Sequence, residues 1–279
     1  MTPSMDAVRR LVRQALAEDG GTGDATTSAV VPLAARARGI FLAKQDLVIA
    51  GLAVARETFL AADPEILWEE LEEDGAQLAA GRMIARVTGS AHSLLRAERV
   101  ALNFLQRMSG VATLTRRFVD AVAGTRARIR DTRKTTPLLR ELEKYAVVVG
   151  GGELHRKALD QAILVKDNHV RLAGSVAEAA RRAREGSRGL LVEVEVEQVG
   201  QIEEALAAGA DMLLLDNFTP ESARAGVTLV RGRVPVEASG GIRLDNVRAY
   251  AEAGVDFIAV GALTHSAPAA DISLEIEPT

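Results

Sequence analysis

Residues 190–217 read LLVEVEVEQVGQIEEALAAGADMLLLDN. An apolar run at Leu190–Val196 is followed by a helical pattern at Gln201–Ala208, then by a second apolar run at Met212–Asn217. Short apolar strands separated by amphipathic helices predict a parallel sheet covered by those helices. The rhythm continues through Pro235–Gly240 and Phe257–Ala262 at intervals of about 22–23 residues, with helical segments at Pro220–Val230 and Asn246–Ala253. Upstream, strand-like runs at Ala127–Thr132 and Ala162–Asp167 precede a helix at Ser175–Glu185. The wider spacing there leaves room for a further strand or a functional loop near Ala146–Gly152. Six or seven such βα units fit a barrel better than an open sheet, although spacing alone does not set closure.

Residues 1–110 read differently. Val8, Leu11, Val12 and Leu16 mark an opening helix at helical spacing. A Gly/Asp/Thr turn follows at Gly20–Thr27. Short apolar stretches then lie at Gly39–Ala43 and Leu47–Ala50, followed by a helix near Leu52–Ala62 and strand candidates at Ile66–Glu72 and Met83–Thr88. Arg96–Met108 and Val111–Val122 read as two helices separated at Ser109-Gly110. This is an α+β arrangement without a repeat.

Composition narrows the function. The chain has 279 residues, of which 48% are hydrophobic and 26% charged, so it is globular rather than disordered. It has no cysteine, which excludes disulfides, thiolate metal sites and Cys nucleophiles. No apolar run is long enough to span a bilayer and the N-terminus lacks a signal-peptide pattern, so a cytoplasmic protein is expected. A net charge of −4 and 3% aromatics argue against nucleic acid. The charge is unevenly spread. Residues 99–157 hold 13 Lys and Arg against 5 Asp and Glu, a local balance of +8, leaving −12 for the remainder. A basic segment in an acidic chain points to an anionic ligand.

The C-terminal ends of the strands carry the chemistry. They are Asp131-Thr132-Arg133-Lys134, Lys166-Asp167-Asn168, Glu195, Asp216-Asn217, Ser239-Gly240-Gly241 and Val260-Gly261-Ala262. In parallel βα barrels those ends form the active-site face. The two small-residue turns at the last two strands suit a phosphate approached by backbone N–H groups. Glu195 and Asp216 can hold Mg²⁺ or sugar hydroxyls, or stabilise developing positive charge. Glu193 and Glu197 alternate in phase with Glu195, so the pattern does not choose among the three. Arg133, Lys134, His155, Arg156 and Lys166, with Arg99, form a basic set suited to carboxylates. His92, His169 and His265 read as core or capping residues, no His/acid motif has metal-ligand spacing, and Ser109 and Ser239 lack an evident base. The residues alone therefore describe a barrel enzyme acting on a phosphorylated substrate and a small carboxylate.

The blocks Arg130-Asp131-Thr132-Arg133-Lys134-Thr135-Thr136-Pro137, Glu143-Lys144-Tyr145-Ala146, His155-Arg156, Val165-Lys166-Asp167-Asn168-His169 and Leu215-Asp216-Asn217-Phe218 resemble the quinolinate phosphoribosyltransferase family. The resemblance runs in order along nearly the whole chain. It implies an N-terminal α/β sandwich domain over residues 1–110 and an incomplete (β/α) barrel of six to seven strands over 111–266. The tail 267–279 is expected to pack back on the first domain. It implies transfer of phosphoribosyl from phosphoribosyl pyrophosphate to quinolinate with decarboxylation, with Mg²⁺. It further implies a homodimer with shared sites, or a hexamer, and no nucleic-acid or membrane partner. By resemblance, the quinolinate-binding residues fall on Arg133, His155, Arg156 and Lys166, with Arg99 reaching over from the partner subunit. Thr132 belongs to the same strand-end block, and Lys134 falls on a position associated with substrate or pyrophosphate. Glu195 and Asp216 fall on the ribose and metal carboxylates. Ser239, Gly240 and Gly241, with Val260, Gly261 and Ala262, fall on the 5′-phosphate cradle. The catalytic set so implied is Lys134, Lys166, Glu195 and Asp216. Leu138 stands where the family commonly has Gly, and Leu154 and Ala158 also depart from its pattern. Two other readings are a paralogue of the molybdenum-transport-associated type acting on another acid, and a catalytically silent binding protein on the same fold.

Overall fold

The computed structural model describes residues 2–279. In chain order the strands are β1 (Arg36–Ala43), β2 (Leu47–Val48), β3 (Leu67–Glu70), β4 (Gln77–Leu78), β5 (Met83–Ser90), β6 (Arg128–Arg130), β7 (Ile163–Val165), β8 (Val192–Val196), β9 (Met212–Asp216), β10 (Val236–Ser239), β11 (Phe257–Ala259) and β12 (Ile272–Pro278). They divide between two units. One comprises the chain up to Leu114 together with 141–151 and 267–279; the other comprises 115–140 and 152–266.

The first unit holds an antiparallel sheet in the order β12-β1-β5-β3. β1 alternates exposed and buried residues, the pattern of a strand with one face on a core. Its inward Phe41 meets Phe59 at 5.9 Å edge-on and Trp68 at 5.5 Å, in a cluster closed by Leu94, Ala101 and Leu105 of the long helix Ala91–Ala121. β12 pairs with β1 from Ala37↔Pro278 to Ala43↔Ile272, so the tail is the fourth strand of this sheet.

The long helix corrects one expectation, because Ser109-Gly110 does not break it. The Ser109 hydroxyl is wholly buried and serves Ala50, accepting from its N–H at 3.1 Å. Gly110 is needed for close approach: a Cβ there would lie 2.0 Å from the Pro268 carbonyl oxygen. Both residues answer to tertiary packing, which a reading of local turn chemistry does not see. Of the strand or functional loop expected near Ala146–Gly152, the strand does not form, while the loop that follows carries His155 and Arg156, which line the cavity of the second unit. Arg140–Val149 is a helix, and residues 141–151 pack in the first unit.

The second unit holds six parallel strands in the order β6-β11-β10-β9-β8-β7. A single parallel bridge, Arg130↔Glu153, adds a seventh short segment beyond β6. Among the described residues no ladder joins that segment to β7, so the barrel is incomplete. The covering helices start where their caps dictate. Ser175 caps Val176–Gly186 by accepting from Glu178 N–H, and Thr219 caps Pro220–Val230 by accepting from Ser222 N–H, with Pro220 in the first turn. At the opposite strand ends, Asp211 and Asp256 accept the first N–H groups of β8 and β10, at Val192 and Val236, each at 2.9 Å. That face is built for stability and leaves the C-terminal ends for chemistry. No helix among the described residues is long and apolar enough to cross a membrane.

Candidate active site

A cavity of about 770 Å³ opens at the C-terminal strand ends of the second unit. Thr132, Arg133 and Lys134 line it from beyond β6, His155 and Arg156 from the bridge segment, and Lys166 from beyond β7. Glu195 of β8 and Asp216 of β9 complete the charged wall. Ser239, Gly240 and Gly241 close it after β10, and Val260, Gly261 and Ala262 after β11. The structure thus brings together every site residue expected from the sequence except Arg99. Arg99 is exposed on the long helix of the first unit and is not part of this lining.

The lining has two electrostatic zones. In one, the guanidinium groups of Arg133 and Arg156 stand close enough to repel. Burial, then the charge of Arg133, lowers the pKa of Arg156. Arg156 spends Nη1 on the Ala162 carbonyl at 2.7 Å. The Nε–H groups of both arginines are buried without a partner. Buried donors left unsatisfied cost free energy, and two facing cations add to it, so this zone calls for an anion with several acceptor oxygens.

In the other zone, Lys166 Nζ meets Glu195 Oε2 at 3.2 Å, and the Asp167 amide donates to Glu195 Oε1 at 3.3 Å. Asp216 accepts from the Asn217 side chain at 2.6 Å. Its carboxyl pKa is raised, first by burial and then by the charge of Glu195, against the pull of Lys166 and Lys134. Two neighbouring carboxylates beside a cavity are suited to a cation or to developing positive charge.

The small-residue turns are sterically enforced. Gly240 has φ +89, and a Cβ there would lie 2.2 Å from Asn217 Oδ1. A Cβ at Gly261 would lie 3.0 Å from His265 Nε2 and 3.3 Å from Lys134 Cδ. Thr264 Oγ1 donates to the Lys134 carbonyl at 2.8 Å and ties the loop after β6 to the turn after β11.

Depth separates the three glutamates that the sequence could not. Glu197 lies exposed past the end of β8, Glu195 faces Lys166 at the mouth, and Glu193 lies below, with Oε2 3.0 Å from His155 Nε2. Beneath them is a buried layer that the sequence did not flag. Glu237 is fully buried on β10, accepts from Arg130 Nη1 at 3.0 Å, and has its carboxyl pushed up to about 7 by burial and then by Glu193. Arg130 also covers the Phe257 ring, 3.3 Å from its centroid. His155 is raised as well: burial opposes its charge, but Glu193 and Glu237 outweigh that.

Two family models account for almost the whole chain. "Quinolinate phosphoribosyl transferase, N-terminal domain" matches residues 24–109, and "Quinolinate phosphoribosyl transferase, C-terminal domain" matches residues 111–275. The chain belongs to the quinolinate phosphoribosyltransferase family. A relative from Mycobacterium leprae, named nicotinate-nucleotide pyrophosphorylase [carboxylating], is 45% identical over 279 residues, covering 97% of this chain and 98% of its own. A Bacillus subtilis relative named as a probable enzyme of the same kind is 41% identical, covering 96% of this chain and 93% of its own. The solved structure of NadC from Streptococcus pyogenes superposes with a TM-score of 0.95 at 39% identity, over 100% of this chain and 99% of that one.

Besides Glu237, Arg243 and His265 line the cavity of this quinolinate phosphoribosyltransferase family member unforeseen. His265 sits four residues after Gly261, with Nδ1 2.6 Å from the Ser266 hydroxyl. The spacing Gly-x-x-x-His across a strand-end turn is the signal that could have found it.

Proposed function

We propose that this cavity transfers the phosphoribosyl group of phosphoribosyl pyrophosphate to quinolinate, and that the chain is a cytoplasmic nicotinate-nucleotide pyrophosphorylase (carboxylating). The products are nicotinate mononucleotide, pyrophosphate and CO₂. The observation that carries this reading is the half-buried Arg133/Arg156 pair with two buried, unpartnered Nε–H groups, set beside a carboxylate pair and two glycine turns in one cavity. A dicarboxylate satisfies the arginines, and a phosphosugar satisfies the turns. The names of the family and of the relatives support the same reaction.

The chemistry follows from charge placement. Arg133, Arg156 and Lys166 hold the two carboxylates and screen their repulsion from the phosphates. The bond from ribose C1 to the pyrophosphate oxygen breaks and its electron pair leaves with pyrophosphate. The oxocarbenium character that develops at C1 is stabilised by Glu195 and Asp216. The pyridine nitrogen bonds to C1 and becomes cationic. The neighbouring carbon then loses its carboxylate as CO₂, the electron pair staying on that carbon as an ylide stabilised by the adjacent cationic nitrogen, and that pair takes up a proton. Ser239, Gly240, Gly241 and Gly261 receive the 5′-phosphate through backbone N–H groups.

Mg²⁺ fits the carboxylate pair, which offers hard oxygen donors on the cavity wall. Glu195 and Asp216 would hold it, and it would supply charge neutralisation for departing pyrophosphate. We infer further that the chain works as a homodimer, with the exposed Arg99 reaching the partner's dicarboxylate.

A substrate panel tests the proposal. Pyridine-2,3-dicarboxylate is expected to exceed pyridine-3-carboxylate in kcat/KM by at least about a thousandfold, because the monocarboxylate leaves the buried Nε–H donors of the arginine pair unsatisfied. Preference for the monocarboxylate, or turnover of neither, would overturn it.

A further inference from the structure

Two loops carry the arginine pair of the cavity, one after β6 with Arg133 and one beyond the bridge segment with Arg156. Each loop is closed on itself. After β6, the Lys134 amide donates to Thr132 Oγ1 at 3.0 Å and the Thr135 amide to the Arg133 carbonyl at 2.9 Å. In the other loop, the Lys157 amide donates to Gln161 Oε1 at 2.8 Å, beside the bond from Arg156 Nη1 to the Ala162 carbonyl. None of these bonds fixes one loop against the other. The loops meet at their roots, where the Asp131 amide donates to the Glu153 carbonyl at 3.2 Å and the His155 amide to Asp131 Oδ1 at 2.8 Å.

Past that point a side chain outside the cavity ties them. Arg140 donates from Nε to Thr135 Oγ1 at 3.0 Å, from Nη2 to the Arg133 carbonyl at 3.3 Å, and from Nη1 to the Lys157 carbonyl at 3.0 Å. It is half-buried, does not line the cavity and takes no part in the proposed chemistry. A guanidinium is planar and holds its donors in a rigid fork, so three acceptors bound at once place both loops in one frame.

We propose that Arg140 is a positioning residue that sets the separation of Arg133 and Arg156, and with it the preference for carboxylates on adjacent ring carbons. It acts through the carbonyl of Arg133 itself and through that of the residue after Arg156. Two like charges drive the loops apart while the pair is empty. The clamp resists that drift before the ligand arrives, so binding does not have to draw the arginines together. Lys134 has an anchor of its own in Thr264, and the turns after β10 and β11 receive no bond from Arg140. The phosphosugar half of the site is therefore independent of the clamp.

The inference rests on the proposed function for the identity of the dicarboxylate, and the arms of the test separate the two. Calorimetry compares pyridine-2,3-dicarboxylate with pyridine-2,5-dicarboxylate on wild type, Arg140→Ala and Arg140→Lys, with folding checked by circular dichroism. Wild type is expected to bind the 2,3 isomer at least about a hundredfold more tightly. A wild type without that preference sinks the proposed function and the inference together. Arg140→Ala is expected to weaken the 2,3 isomer at least about tenfold and the 2,5 isomer less than about threefold, because a slack pair loses selectivity first. Arg140→Lys keeps the charge but not the fork, and is expected to fall with Ala. In steady-state kinetics both variants should raise KM for quinolinate at least about tenfold, with KM for phosphoribosyl pyrophosphate within about threefold of wild type. With the wild-type preference intact, a Lys variant that binds like wild type, equal weakening of both isomers, or equal rises in both KM values overturns the inference alone. If Arg140→Ala fails to fold, Arg140→Lys decides by the same readouts.

Discussion

Replacing Glu237 by Gln removes a buried ionisable group while keeping an acceptor for Arg130. The Glu237 carboxyl is raised from 4.5 to about 7 by burial and then by Glu193. A carboxyl raised on folding holds its proton more tightly in the native state. As pH rises through 4.5 the unfolded chain releases that proton while the folded chain keeps it, so stability falls until pH passes about 7. Each unit corresponds to about 1.4 kcal/mol, so the window corresponds to about 3 kcal/mol, shared with the coupled His155 and Glu193. For a unit of this size that is roughly 6–12 °C in Tm. The assay is thermal unfolding of wild type and Glu237→Gln between pH 4.5 and 8.5. The two should converge at the acid end, and the variant should gain on wild type as pH rises, levelling above 7. A difference that does not vary with pH, or that shrinks as pH rises, would refute the reasoning that Glu237 is held uncharged by its surroundings.

Other substitutions probe the mouth. Lys166→Ala, whose side chain is 47% exposed, should abolish turnover in a product assay while moving Tm by less than about 2 °C, since exposed ion pairs contribute little to stability. Gly240→Ala should raise KM for phosphoribosyl pyrophosphate at least about tenfold with little change for quinolinate, because the new Cβ displaces Asn217 and the turn leaves its positive-φ conformation. Leu138 has φ +67 and is 85% exposed. Leu138→Gly should therefore stabilise the protein by about 1 kcal/mol in denaturant unfolding, since a left-handed non-glycine residue costs about 1–2 kcal/mol and little burial is lost.

The strands and helices of the second unit were legible because their apolar runs alternate with 3.6-residue periodicity, a signal that survives without tertiary information. The mouth was legible for a related reason. Charged groups such as Lys166 and Asp216 at the ends of apolar strands have few explanations other than a site. The layer below was not legible. Glu237 sits in Pro235–Gly240 as a single acid in a short strand, and nothing local says that its side chain meets Arg130, more than a hundred residues away. Its meaning depends on which strands alternate around the barrel. The choice among Glu193, Glu195 and Glu197 failed for the same reason: period two gives the face, and only the barrel gives the depth. Ser109-Gly110 misled because a hydroxyl and a missing Cβ can serve a neighbouring segment as well as a turn. The left-handed φ of Leu138 gives a physical reason for the Gly that the resemblance leads one to expect there.

The central claim is that one cavity binds a pyridine dicarboxylate on paired arginines and a phosphosugar on glycine turns, and joins them. The most direct measurement is product stoichiometry with quinolinate labelled in its 2-carboxylate, phosphoribosyl pyrophosphate and Mg²⁺. The account predicts one labelled CO₂ and one pyrophosphate for each nicotinate mononucleotide formed, and loss of all three together in Arg156→Ala. Release of pyrophosphate without labelled CO₂, or full turnover by Arg156→Ala, would contradict it.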